Sequence, residues 1–383
     1  MSAAQAPIVQ GWCPGALRPM QSGDGLVVRV RPRAGRLTPD QARGIAALAR
    51  LHGNGLIDLS NRANVQLRGV TEASHPALID GLRALDLIDR DAADEARRNI
   101  IVSPFWKQSD PTQALADGLA AALAAPDAPP LPGKFGFVLD TAATPCLRDV
   151  SADIWLETGP DGLLLATHAD RALSVTAQTA VAEAMALARW FVENGGVNAG
   201  RGRMAALLQR VPLPDRFDAP RIPATAPPIP GMVAHGALVG FEFGQMQAET
   251  LAALADLGPL RVTPWRMLLI EGAIAAPDLP GLITRADDPM LRVVACTGAP
   301  GCLQAHGETR NLARALAPHL RETLHVSGCA KGCAHPGSAA LTLTATPTGF
   351  ALIRNGTASG TPIRDGLSAD DLIASPSILT EFP

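Results

Sequence analysis

Four cysteines near the carboxyl end of the chain have a spacing that suits iron–sulfur chemistry. Five residues separate Cys296 from Cys302, and three separate Cys329 from Cys333. Thiolates are the usual ligands of such clusters, and a [4Fe–4S] cube requires four of them. The pattern therefore predicts a [4Fe–4S] site. Nearby residues that bend or stiffen the backbone are Gly298, Gly301, Gly328, Gly332, Pro300 and Pro336.

A structural zinc ion and four unligated thiols are the alternatives for these cysteines. Zinc sites usually pair cysteines that are two to four residues apart, and the first pair fits that spacing poorly. The other two cysteines, Cys13 and Cys146, are isolated in sequence. We interpret each of them as a buried or free thiol rather than a ligand.

The composition limits the classes of function. With 383 residues, 47% hydrophobic and 18% charged, the chain is long enough for two or three domains. A net charge of −3 excludes a general basic field for nucleic acid, so an anionic ligand needs a local group of arginines. The absence of tyrosine excludes a tyrosyl radical. Because neither a signal-peptide pattern nor a long apolar run is present, we expect a cytoplasmic protein with no membrane segment and reduced cysteines.

Residues 26–70 are predicted to form a strand, a helix and two further strands. Leu26–Arg31 alternates apolar and basic residues, as a half-buried strand does. Thr38 and Gln41 give a capping-box pattern at the start of the helix. Leu56–Leu59 and Val65–Val70 are the two following strands.

Residues 236–273 repeat this order of elements, which predicts an internal duplication. When Gly69 is aligned with Gly272, Arg62 falls opposite Trp265. The repeat therefore predicts a shared fold and not a second copy of one site. Proline-rich stretches at 125–133 and 212–230 are predicted linkers, and the second divides the halves.

The remaining patterns alternate strands and helices without a regular parallel βαβ rhythm, which indicates an α+β fold. Predicted strands are Phe135–Asp140, Asp153–Glu157, Gly162–Thr167, Arg292–Ala295, Ala339–Thr344 and Gly349–Arg354, and predicted helices are Thr176–Asn194 and Thr309–Leu320.

The cysteine pattern and the two similar halves resemble the sulfite/nitrite reductase superfamily. The resemblance implies a duplicated architecture, with ferredoxin-like half-domains at 1–75 and 221–285. An α+β domain at 76–220 and a 4Fe–4S-binding domain at 286–383 would complete it. In this family the last cysteine bridges the cluster to sirohaem iron, which implies that Cys333 faces a tetrapyrrole pocket.

The first repeat is also rich in arginine, which binds carboxylates through paired, charge-assisted hydrogen bonds. Arg29, Arg31 and Arg33 would share one face if the strand continued through Pro32. A solvated strand face is the alternative interpretation of this alternation.

The resemblance implies roles for individual residues. Arg31 and Arg98 match anion-binding arginines of the family, and Lys134 matches an active-site lysine, so we expect these three to be catalytic. Gly136 stands where the reductases have a second lysine. This departure argues against six-electron reduction, in which two lysines beside the bound anion could donate protons. Residues expected to bind tetrapyrrole carboxylates are Arg29, Arg31, Arg62, Asn64, Gln66 and Arg68.

Segments at 13–30, 131–140 and 327–336 resemble the precorrin-3B synthase branch of this superfamily. That branch implies an O2-dependent monooxygenase of aerobic cobalamin biosynthesis, which hydroxylates the eight-carboxylate tetrapyrrole precorrin-3A and closes a lactone. It also implies a mononuclear non-haem iron, for which two histidines and a carboxylate are the usual ligands. Residues of these types near the cysteines are His306, Glu308, His325 and His335. We interpret the three histidines as surface or capping residues.

No Gly-x-Gly-x-x-Gly segment follows a predicted strand, so NADH is expected to act through an external electron donor or reductase. Two alternatives remain for the function. The first is a sirohaem-dependent nitrite or sulfite reductase, which would hold sirohaem. The second is an iron–sulfur electron-transfer or tetrapyrrole-carrier protein without turnover of its own.

Overall fold

The computed structural model describes residues 14–380, and the predicted isolated thiol Cys13 lies outside that range. Thr38 and Gln41 form both hydrogen bonds of the predicted capping box. The elements of the first quarter of the chain are β1 (Met20–Ser22), β2 (Gly25–Val30), β3 (Arg36–Leu37), α1 (Pro39–His52), β4 (Leu56–Leu59), β5 (Val65–Val70), α2 (His75–Ala84) and α3 (Ala92–Arg97).

The condition under which Arg29, Arg31 and Arg33 would share one face is not met, because β2 ends at Val30, before Pro32. Ala34 and Gly35 have positive φ angles of 49° and 68°, and the turn that they form redirects the chain into β3. Arg33 therefore leaves the face of Arg29 and lies in solvent.

A second group of elements forms a six-stranded sheet with the order β11-β10-β9-β8-β7-β6. The helix predicted at Thr176–Asn194 begins only at Ala180, because Thr176 and Thr179 exchange hydroxyl–amide hydrogen bonds in a turn before it. The elements are β6 (Ile100–Val102), α4 (Thr112–Ala124), β7 (Phe137–Asp140), β8 (Ile154–Gly159), β9 (Gly162–Ala166), β10 (Arg171–Val175), α5 (Ala180–Glu193), α6 (Met204–Leu208) and β11 (Ala219–Pro220).

The carboxyl-terminal half contains two further sheets. In the last of them, with the order β18-β19-β20-β21-β22, the first three strands are parallel. The elements are β12 (Gly231–Val233), β13 (Gly236–Phe241), β14 (Gln245–Gln247), α7 (Ala248–Ala255), β15 (Leu260–Val262), β16 (Met267–Glu271), β17 (Leu282–Ile283), β18 (Val293–Ala295), α8 (Arg310–Leu316), β19 (Leu324–Ser327), β20 (Ala339–Thr346), β21 (Gly349–Gly356), β22 (Arg364–Leu367) and α9 (Ala369–Ala374).

The predicted internal duplication is confirmed by the sheet topology. One sheet has the order β1-β2-β5-β4-β14 and the other has the matching order β12-β13-β16-β15-β3. Each is completed by a short strand from the other repeat, and helices α1 and α7 pack against each other. One apolar core runs through both repeats. The fold is α+β, and the exchange of strands fixes the two repeats to each other; the domain boundaries remain predictions.

Buried Glu157 on β8 fastens the second proline-rich linker to its sheet. Its carboxylate accepts two hydrogen bonds from Arg221 of the linker, both 2.8 Å long, and two from Arg148. Burial opposes ionisation, but these guanidinium groups outweigh it and hold the pKa of Glu157 below its usual value. Among residues 14–380, no helix is long and apolar enough to cross a membrane.

Glu157→Gln is therefore expected to lower the free energy of unfolding at pH 7 by about 3 kcal/mol, because two buried guanidinium groups lose their anion. A depressed folded pKa contributes stability above the unfolded value, near about 4.3, and loses it as pH falls through the folded pKa. The difference between wild type and variant should shrink below about pH 4. Urea denaturation at a series of pH values measures this, and a constant difference would contradict the assignment.

Candidate active site beside four cysteines

The two cysteine pairs follow neighbouring parallel strands, β18 and β19. Cys296 comes directly after β18, and Cys329 lies two residues beyond the end of β19. The carboxyl ends of parallel strands meet at one edge of a sheet, which is where such sheets bind ligands. The sequence could give only the spacing of the cysteines, whereas this strand pairing brings the two pairs together.

Hydrogen bonds shape the two cysteine loops and join them. The amide of Cys302 donates to the carbonyl of Gly298 at 2.8 Å, and the amide of His306 donates to the carbonyl of Gly328 at 2.8 Å. Gly298 has a φ of +70°, and a Cβ there would lie 2.6 Å from the Thr309 hydroxyl oxygen. Glycine is therefore required at this turn.

The four thiols lie close enough to influence one another. Desolvation raises the pKa of Cys333, the other three cysteines raise it further, and Lys331 acts in the opposite direction. Among residues 14–380, no set of three or more His, Cys, Asp or Glu side chains is arranged to hold one metal ion. A zinc ion would need its sulfurs all within about 2.3 Å of one point. A cube binds each thiolate through a different iron, so the four sulfurs of a cluster are spread more widely than those of a zinc site.

For the predicted mononuclear iron, no group of three or more His, Cys, Asp or Glu side chains within the described range 14–380 forms a ligand set. His306 and Glu308 are exposed. His325 is fully buried, so its interpretation as a surface or capping residue is wrong; it lies on β19, an inner strand of its sheet. Its Nε2 is 3.8 Å from the Cys296 sulfur. Burial, with smaller effects of nearby positive groups, lowers the pKa of His325 to about 4, so a neutral imidazole faces the thiol.

A cavity of about 250 Å³, here called the central cavity, opens beside the cysteines. Its volume is slightly smaller than that of a typical ligand pocket, which is roughly 300–1,000 Å³. A bound tetrapyrrole would therefore extend out of the cavity through its open side. Its wall includes Arg29, Asp58, Gln66, Arg266, Cys296, Arg310 and Cys333. The expectation that Cys333 faces the ligand pocket is thus matched by its place in this wall.

A row of polar side chains crosses the first sheet at the cavity. Arg29 on β2 is paired with Gln66 on β5, which is paired with Asp58 on β4. Arg29 donates two hydrogen bonds to the Gln66 carbonyl oxygen, at 3.0 and 2.6 Å. In the second sheet the residues at the corresponding positions are Leu238 on β13, Leu269 on β16 and Arg261 on β15. The Arg29–Gln66 pair therefore has an apolar counterpart in the second copy, where buried Arg261 is paired with Glu271 instead.

A second group of predicted residues lies around loop 60–64, next to the central cavity. Arg62, Asn64 and Arg98 line one small cavity. Arg62 donates to the carbonyl of Lys134 at 3.3 Å, and Arg98 donates to the carbonyl of Arg31 at 2.9 Å. The structure therefore brings the side chains of Arg62, Asn64 and Arg98 to one small cavity, whereas Arg31 and Lys134 contribute backbone carbonyls to these contacts.

Arg68 lies apart from both cavities, in a buried ion-pair network. Its guanidinium contacts Asp24 at 2.6 Å and Asp58 at 3.0 Å. It also donates to the carbonyl of Gly301, which accepts from the Ser22 hydroxyl as well. Arg68 thus holds the loop between the first two cysteines against the first sheet.

Sequence reasoning missed Arg266 and Arg310 in the cavity wall. Arg266 lies in the turn between β15 and β16 with a φ of +60°, and Ala63 has a φ of +53° at the equivalent position of the first repeat. Aligning the two turns could have drawn attention to Arg266. Arg310 begins α8, and no motif distinguishes it from the other arginines of the chain.

Comparison with known proteins supports this architecture. Residues 18–85 match the nitrite/sulfite reductase ferredoxin-like half domain. A precorrin-3B synthase from Sinorhizobium sp is 32% identical to this chain over 93% of its length, and the match covers 85% of that protein. The chain belongs to the precorrin-3B synthase family. Sulfite reductase [ferredoxin] from Mycobacterium tuberculosis is 24% identical to this precorrin-3B synthase family member, over 80% of the chain and 67% of the reductase.

A solved structure shows the same fold for this precorrin-3B synthase family member. The NirA protein of Mycobacterium tuberculosis superposes with a TM-score of 0.59 at 18% identity, over 92% of this chain and 79% of NirA. The predicted duplicated sulfite/nitrite reductase-like architecture is confirmed by this match.

Proposed function

We propose that the chain is a precorrin-3B synthase, an oxidoreductase of cobalamin biosynthesis that oxygenates precorrin-3A. The observation that carries this proposal is that the wall of the basic central cavity contains Cys296 and Cys333, one cysteine from each pair. An eight-carboxylate tetrapyrrole requires arginines, and an O2-dependent oxygenation requires electrons delivered beside the ring.

Cys296, Cys302, Cys329 and Cys333 would hold a [4Fe–4S] cluster, which supplies one-electron transfer when bound. Arg29 and Gln66 would bind carboxylates in the central cavity, and Arg62, which lines the neighbouring small cavity, would extend that basic surface past loop 60–64. Arg31 is buried, and Arg98 is paired with the Asp89 carboxylate at 2.8 Å, so neither adds exposed positive charge there. In the overall reaction one atom of O2 enters the product and the other leaves as water, with two electrons and two protons supplied. The electrons would come from an external donor or reductase that uses NADH.

A sirohaem-dependent nitrite or sulfite reductase is the second candidate, supported by the fold shared with such enzymes. Gly136 favours the oxygenase. Its φ is not positive, and a Cβ would find only ordinary contacts, 3.5 Å or more from Arg62 Nη1 and Ala152 Cα. The backbone therefore does not demand glycine at the position where the reductases have their second lysine.

The test uses the anaerobically purified full chain. We expect iron and labile sulfide without extractable sirohaem, and incorporation of one ¹⁸O atom into precorrin-3A from ¹⁸O2 when NADH and an electron-transfer reductase are added. Stoichiometric sirohaem with nitrite or sulfite reduction would replace the proposal with the second candidate. Cluster reduction without turnover of either substrate would indicate a carrier protein.

A further inference from the structure

Two arginines of the second half, Arg266 and Arg310, bring more positive charge to the central cavity than its wall can balance. Arg266 has one hydrogen bond, from Nη2 to the carbonyl of Ala334 at 3.0 Å. Arg310 Nε is buried and has no hydrogen-bond partner among residues 14–380. The nearest carboxylate oxygen to Arg310, on Asp58, is 3.9 Å away.

Asp58 offsets the charge of these groups only in part, because it carries one negative charge and also pairs with Arg68. Arg68 binds one oxygen at 3.0 Å, and the Gln245 amide donates to the other at 2.7 Å. Burial lowers the pKa of both Arg266 and Arg310, and attraction to Asp58 and Cys296 offsets this only in part. A guanidinium stays protonated in proteins, so the cost of its burial favours the binding of an anion.

The shape of the site favours a carboxylate. The Phe243 ring lies 5.7 Å from the Arg310 guanidinium carbon, and this aromatic contact orients the planar group in the wall. A guanidinium offers parallel N–H donors that match the two oxygens of a carboxylate. The cavity is open on one side, so the anion can be one group of a larger ligand.

We propose that Arg266 and Arg310 together bind one ring carboxylate of the tetrapyrrole at the wall that contains Cys296. This inference rests on the proposed function and deepens it. The contact fixes the edge of the macrocycle that lies next to the cluster ligands, whereas Arg29 and Gln66 bind from the opposite repeat. The first repeat and the second half of the chain thus hold the substrate from two sides.

The probe is uroporphyrin III, a stable tetrapyrrole with eight carboxylates, titrated into the cluster-loaded protein with fluorescence as the readout. Arg310→Gln is expected to weaken binding about 10- to 100-fold, since a hydrogen bond to a charged group is lost. Arg310→Lys, which keeps the charge without the fork, should give an intermediate loss. Arg189→Gln is the control, because Arg189 lies in an exposed ion pair with Asp127 and does not line the central cavity.

Three other outcomes would overturn the assignment, and each has a different meaning. If both Arg310 variants bind uroporphyrin as the wild type does while the midpoint potential of the cluster shifts, the arginines are counter-charges of the cluster only. If the variants lose binding of inorganic sulfate but not of porphyrin, the site takes a free oxyanion. If the wild type itself does not bind the porphyrin, the proposed function fails as well. Thermal unfolding of each variant separates these results from misfolding.

Discussion

Cys329→Ser is expected to remove the cluster from the purified protein. Iron and labile sulfide should fall from about four of each per chain to background, together with the broad visible absorption. The physical reason is that three thiolates remain and that Cys329 is buried, so no water or external thiol can take the vacant ligand position. Iron and acid-labile sulfide assays on anaerobically prepared protein, with the visible spectrum, measure the change.

Cys146→Ser provides the matched control for this experiment. Cys146 is also buried, and burial, with the nearby Asp140 carboxylate, raises the pKa of its thiol to about 12. The prediction of a buried or free thiol is confirmed for this residue. Its replacement should leave iron and sulfide unchanged. Full sulfide in the Cys329→Ser protein would falsify the ligand assignment, and loss in both variants would indicate general instability.

Features that depend on a few neighbouring residues could be predicted from the sequence. The capping box at Thr38, the strands of both repeats and the cysteine pairs all belong to this class, because local hydrogen bonding and side-chain periodicity determine them. The duplication was also predictable, since two segments with the same order of elements fold in the same way. Whether Arg33 shares the face of Arg29 could not be decided from the sequence, because the turn at Ala34 leads into a strand that pairs with the other repeat.

Features that depend on long-range contacts could not be predicted. Arg266 and Arg310 are brought to Asp58 and Cys296 by the docking of the second half on the first, and their sequence neighbours give no sign of this. The same applies to His325, which is buried because β18 and β20 flank its strand. A count of arginines in one segment also cannot separate those that face a ligand from those that face carboxylates of the protein.

Arg68 is the clearest such case, and its replacement has the largest expected effect on stability. Arg68→Gln should lower the free energy of unfolding by about 3–5 kcal/mol, because Asp24 and Asp58 would remain without their partner. Although burial opposes the charge of Arg68, the two aspartates raise its pKa above the usual value. Urea denaturation measures the loss. Arg43→Gln, in an exposed ion pair with Asp256, is the control and should cost less than about 1 kcal/mol.

A second comparison separates this structural role from the tetrapyrrole-binding role that the sequence predicts for Arg68. Adding Asp24→Asn and Asp58→Asn to Arg68→Gln removes the unpaired charges and should recover part of the lost stability. Arg310→Gln should behave in the opposite way, with little loss of stability in the free protein and a large loss of porphyrin binding. If Arg68→Gln instead unfolds like the wild type but no longer binds uroporphyrin III, its guanidinium faces the ligand. In that case Arg68 and Arg310, which both approach Asp58, would both bind the ligand. The proposal instead gives Arg68 a role in stability and Arg310 a role in substrate binding.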